Sequence, residues 1–113
     1  MTTFFGFAIG DSMFAANALI EKKSLTAEQA KEIIKNGIES CCNPSHRATI
    51  SAMKKRYDID VMIPDTPPRI SLAKGDSIIV MGVRGLPRLT DRHEYTEEEI
   101  AEASFSFSRY DVK

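Results

Sequence analysis

Apolar positions along this chain come in short runs broken by turn residues, and their spacing switches between a strand period and a helix period. Residues 4–9 are apolar and aromatic and end at Gly10-Asp11, which predicts a buried first strand. Residues 12–23 are ambiguous, because Met13, Phe14, Leu19 and Ile20 suit either a short helix or an ordered loop. Thr26-Ala27-Glu28-Gln29 has the pattern of a capping box and opens a helix through Lys35, which Asn36-Gly37 stops. Residues 38–42 form a short strand that Asn43-Pro44 ends.

A second helix is predicted from His46 to about Arg56, with Ser45 as N-cap and Ile50, Met53 and Tyr57 on its apolar face. Ile59, Val61 and Ile63 alternate with Asp60 and Met62, as in a half-exposed strand, before the proline-rich connector 64–68. Residues 69–72 and 77–83 flank Ala73-Lys74-Gly75-Asp76 in a hairpin pattern, with residues 78–81 as a central strand. A long polar loop, 85–94, leads to a helix that Thr96 caps. Phe105 and Phe107 then alternate with serines in a last strand. The expected fold is α/β: one domain over 1–113, a mixed sheet of five to six strands and helices packed on it.

A length of 113 residues allows one core, and the net charge of −1 gives no field that draws the chain onto DNA. Stable DNA binding is not expected, and Lys54-Lys55-Arg56 reads as a solvated helix end whose charges suit the dipole. Cys41 and Cys42 are adjacent, which disfavours both a disulfide and a zinc site; they read as strand-end residues in a reducing compartment. The first residues lack the basic and long apolar parts of a signal peptide or membrane span, so a cytoplasmic location is expected.

The chemistry concentrates at His46. A histidine followed by Arg47 at a helix start meets the positive dipole end, where a phosphate is favoured and a proton can move near neutral pH. The bland alternative is equally concrete: His46, Ile50, Met53 and Tyr57 share one helical face, so His46 is also readable as the cap of a buried stripe.

These segments, in this order, resemble the small viral and plasmid proteins that include the type III anti-CRISPR ring nucleases. Residues 24–31 resemble that family's first helix, and His46-Arg47-Ala48-Thr49 resembles its G-H-x-(A/S)-T block. Residues 60–76 resemble its strand, hairpin and "GD" element; residues 78–83 with Leu86-Pro87 resemble the strand and "RLPEG" loop. Residues 96–100 and 105–112 resemble the closing helix and strand. The resemblance implies a homodimer that binds and cuts a cyclic oligoadenylate, a ring of AMP units made in type III CRISPR immunity. In that chemistry a ribose 2′-OH attacks the adjacent phosphorus, a histidine protonates the leaving 5′-oxygen, and neither metal nor other cofactor is required. Carried over by motif, His46 is the general acid; Ser45, Arg47, Arg84 and Arg88, with Gly10 and Ser12 of the first loop, are the expected ligand contacts.

Three positions depart from the pattern. Ser45 stands where the family has glycine. Gly10 stands where it has serine, leaving Ser12 as the nearest hydroxyl. Arg84-Gly85-Leu86-Pro87-Arg88 lacks the loop's glutamate. The missing glutamate and the altered first-strand motif favour a second reading, a non-catalytic cyclic-nucleotide sponge; a DNA- or RNA-binding accessory protein of a virus or mobile element is a third, against which the near-neutral charge argues.

Overall fold

Five strands form one mixed sheet, in the order β2-β5-β4-β1-β3, in a computed structural model that describes residues 2–66, 70–87, 89 and 94–113. The strands are β1 (Thr3–Gly6), β2 (Ile20–Leu25), β3 (Glu39–Ser40), β4 (Ser77–Arg84) and β5 (Ser104–Val112). The helices are α1 (Ala27–Lys35), α2 (Arg47–Tyr57) and α3 (Glu97–Glu102). β1 runs parallel to both β3 and β4, whereas β5 is antiparallel to β4 and β2. The expected α/β architecture is the observed one, with five strands.

Each face of the sheet has its own core. Alternate side chains of a strand point to opposite faces, so Phe5, Ile79, Met81 and Phe107 bury against Ala30 of α1 and Ile50 and Met53 of α2. On the other face Phe4, Ile78 and Val112 pack with Leu72 and with Met13 and Phe14 from the loop after β1. β4 is the middle strand, and its pairing with β5 is tight at Gly82, where a Cβ would lie 2.9 Å from Ser106 Oγ.

Local signals set the helix starts. Thr26 accepts the Gln29 N–H at 3.1 Å while Gln29 accepts the Thr26 N–H at 2.9 Å, which closes the expected capping box on α1. Thr96 and Glu99 do the same for α3, at 3.1 and 2.8 Å. Among the described residues no helix is long and apolar enough to cross a membrane.

Non-local pairing overrides the sequence pattern in four places. β1 ends at Gly6, so residues 7–9 are not strand. Residues 20–25, ambiguous in sequence, form β2; as an edge strand it carries Glu21, Lys22 and Lys23 outward, and these hide the strand pattern. The expected hairpin does not form, because both edges of β4 are occupied by β1 and β5. Its turn is real, closed by Asp76 N–H on the Ala73 carbonyl at 3.0 Å, but the preceding Leu72 instead bridges to Phe14. Residues 59–63 alternate in burial without joining the sheet: Ile59 and Val61 are buried in the helix-side core, but they carry no strand pairing.

Candidate functional site

β1 and β3 run parallel and end side by side, and the chain leaving β3 turns at residues 43–46 to start α2. That turn is a 3-10 turn over Pro44–His46 with Asn43 as its cap. Asn43 Oδ1 accepts the Ser45 N–H at 2.9 Å, and the Ser45 hydroxyl also donates to it. Ser45 is therefore not the helix N-cap expected from sequence; the cap lies two residues earlier, where Asn precedes a proline suited to the first turn. In the sequence alone Asn43-Pro44 marks only the end of a strand.

The turn also changes the anion argument. The N–H groups of Ser45, His46 and Arg47 already donate to Asn43 Oδ1, the Asn43 carbonyl and the Pro44 carbonyl. These three donors are engaged within the turn, and the side chains of His46 and the exposed Arg47 stand beside them.

His46 is half-buried and sits at the N-cap position of α2 without capping it. Its ring lies against Phe7, centroids 4.8 Å apart, and Phe7 meets Phe5 edge-on at 5.5 Å. Its Nδ1 accepts the Asn43 N–H at 3.2 Å. Among the described residues Nε2 has no hydrogen-bond partner. Burial holds the imidazole below the usual histidine pKa, so the neutral ring is favoured in the free protein.

The other expected contacts do not all converge on this point. Gly10 and Ser12 lie in and beside a 3-10 turn over Asp11–Met13 in the loop after β1. Gly10 is extended, with nothing within 4 Å of a built Cβ, so no close approach demands glycine there. Arg84 ends β4, exposed, and Gly85 turns the chain away at φ +90°. Gly6 pairs with Val80, so Arg84 stands four residues, roughly 13 Å, farther along the sheet. Arg84 also alternates with Val83, which packs on the helix-side core, whereas His46 leans on Phe7 of that same core. His46 and Arg84 thus lie toward opposite faces of the sheet. A groove of about 480 Å³ runs beside Arg84, lined by Gly82, Val83, Ser104, Phe105 and Ser106. Arg88, with Arg69, Arg92 and His93, lies outside the described residues.

Two further groups are settled. Cys42 is buried, and burial together with the charges of Cys42 and Glu39 pushes the Cys41 thiol up to about 11; both cysteines are free and poor nucleophiles. Arg56 is more than a solvated helix end. Its guanidinium donates to the carbonyls of Ile100 at 2.8 Å and Ala103, and stacks on Tyr57 and Phe105, tying α2 to α3. Among the described residues no three His, Cys, Asp or Glu side chains gather as metal ligands would.

Comparison with known proteins places this geometry. The model of the STIV B116-like family matches residues 6–107. Among solved structures, B116 of Sulfolobus turreted icosahedral virus (STIV) superposes with a TM-score of 0.70 at 14% identity, over 98% of this chain and 99% of that one. At that identity the likeness speaks for the fold. No curated protein matches the chain.

Proposed function

The chain belongs to the STIV B116-like family, and we propose that it binds and cleaves a cyclic oligoadenylate, acting as a homodimer in the cytoplasm and blunting an antiviral signal of the host. A ribose 2′-OH gives its proton to solvent as it attacks the adjacent phosphorus, the bond to the 5′-oxygen breaks, and protonated His46 gives that oxygen a proton, which solvent then restores to the imidazole. The product is a linear oligoadenylate ending in a 2′,3′-cyclic phosphate. The observation that carries this reading is the imidazole itself: half-buried, held by Phe7 and the Asn43 turn, with Nε2 left unpartnered among the described residues. The bland alternative, a histidine that caps the buried stripe, leaves that nitrogen to solvent, so the two readings divide on whether a phosphate takes its place. The motif resemblance to the ring nucleases supports the same assignment.

Arg47 is the nearest cation to the turn, and Arg84 is a second phosphate contact on the other face of the sheet; Arg88, Gly10, Ser12 and Ser45 complete the proposed contacts. A bound phosphate charge raises the His46 pKa toward the protonated form that an acid needs. A sponge that holds the ring without cutting it is the second reading. It is favoured by the same burial that keeps His46 neutral and by the absence of an acid among residues 84–88. The net charge of −1 argues against a nucleic-acid accessory role.

Incubation with a panel of cyclic oligoadenylates, with products resolved by chromatography, tests the proposal. Linear products ending in a cyclic phosphate are expected. An intact ring that stays bound to the protein would convert the reading to the sponge, and neither binding nor cutting would remove both.

A further inference from the structure

We infer that Asn43 is a positioning residue for His46: its turn fixes the imidazole as the Nε2–H tautomer and presents Nε2 alone to a ligand. The inference rests on the reading of His46 as the proton donor, and extends it to a specific atom and to a residue outside the motif.

The geometry is local and directional. A backbone N–H only donates, so the Nδ1 that faces the Asn43 N–H at 3.2 Å must carry a lone pair. In a neutral imidazole the single proton then resides on Nε2. The Asn43 side chain makes this arrangement possible by accepting the Ser45 N–H at 2.9 Å, which holds the turn closed so that its own N–H points at the ring. Phe7 restrains the ring from a second side. Neither contact carries a charge; the adjacent charged residue is Arg47, whose side chain is exposed.

A consequence follows for proton donation. Imidazolium has N–H groups at both positions, so protonating Nδ1 sets two donors against each other and requires the Asn43 bond to break. In the free protein His46 is a neutral hydrogen-bond donor through Nε2, suited to holding a phosphate oxygen. It becomes an acid only when a bound anion compensates for that lost bond. Binding and proton donation are thereby separated into two states of one side chain.

Nitrogen-detected NMR of the ligand-free protein tests the tautomer, with His93→Gln used to assign the two histidines. At a pH above the His46 midpoint, Nδ1 is expected to be unprotonated and Nε2 protonated. Asn43→Ala should give a mixture of tautomers and raise the His46 midpoint by about 0.5 to 1 pH unit, while Asn43→Ser, another good cap, restores the single form. A wild-type protein with the proton on Nδ1, or with both tautomers averaged, overturns the inference. An Asn43→Ala protein with an unchanged tautomer and midpoint overturns the role of Asn43. None of these readings needs a nucleotide. An Nε2–H tautomer in a protein that cuts no ring would end the nuclease reading and leave the positioning intact.

Discussion

The ring of Phe7 meets the imidazole of His46 with centroids 4.8 Å apart and planes inclined by 54°. Phe7 follows β1 directly and His46 closes the turn after β3, so the contact ties together the ends of two parallel strands. Through the edge-on pair of Phe7 with Phe5, which is fully buried, the imidazole is continuous with the helix-side core. One edge of the ring is fixed by packing and by the Asn43 N–H, and among the described residues the Nε2 edge has no hydrogen-bond partner. That division between a held edge and an open edge underlies the first prediction.

His46→Ala is expected to slow ring cleavage by about 10²–10⁴-fold. Affinity should change little, since the free protein offers the ligand one neutral donor there. Rates, titrations and a melting curve of the same variant decide it: a folded variant that cuts at the wild-type rate takes His46 out of the mechanism.

Arg84→Ala is expected to weaken ligand binding by about 1.5–3 kcal/mol, the range of a lost charge-assisted hydrogen bond. Arg84 is anchored by the middle strand of the sheet, so its loss should exceed that of Arg88→Ala, four residues farther along the sequence. Calorimetric titration giving both variants wild-type affinity would refute the assignment.

What the sequence reveals here is what is encoded within four residues of itself. The box Thr26–Gln29 and the cap Thr96 were legible because a cap lies three residues from the N–H it accepts. The apolar run at 78–81 was legible as a central strand because nothing polar interrupts it. The partner of β4 was not legible: the turn at 73–76 suggested residues 69–72, but β1, some seventy residues away, holds that edge. The site divides in the same way. His46 stood out by its type and position, whereas Phe7 emerges only when β1 and β3 lie side by side; the Asn43 N–H is only three residues from His46, but a histidine as the cap's reciprocal partner lies outside the usual Glu or Gln pattern. Arg56 had no signal for its role, because the carbonyls it meets belong to residues 100–103.

Arg56→Ala should destabilise the fold by about 1–3 kcal/mol, since it leaves carbonyls at the end of α3 without their charged donor and removes stacking on Tyr57 and Phe105. Arg56→Lys is expected to rescue little, because a single ammonium cannot span several carbonyls and stack as a planar guanidinium does. Chemical denaturation of the three proteins measures this, and a wild-type midpoint for Arg56→Ala would dismiss the clamp.

Acid should weaken the fold through Asp111. Burial pushes its carboxyl up, but hydrogen bonds from Ser77 and Arg109, with the charges of Arg109 and Lys113, outweigh burial and hold it below the usual carboxylate range. A lowered folded pKa contributes stability that is complete above the unfolded value of about 3.9 and is lost as pH falls through the folded one. Asp76, held low by the N–H groups of Ala73 and Thr2, acts in the same direction. Melting temperatures between pH 7 and 2 should therefore fall in acid, and Asp111→Asn should flatten that fall without abolishing it. An equally steep acid slope in the variant would show that Asp111 titrates alike in both states.

The last prediction concerns assembly. His46 leans on the helix-side core while Arg84 stands on the opposite face of the sheet, roughly 13 Å farther along the strand direction than the end of β1. One subunit alone is poorly arranged to set both side chains on one small ring. A twofold dimer presents each of them twice, which matches the approximate twofold symmetry of a nucleotide ring. The protein is expected to be a homodimer in solution that binds one ring per dimer, with the same mass before and after ligand addition. Light scattering combined with a titration measures both the mass and the stoichiometry. A stable monomer with and without ligand would confine the proposed chemistry to half a site, and the cleavage reading would fall with it.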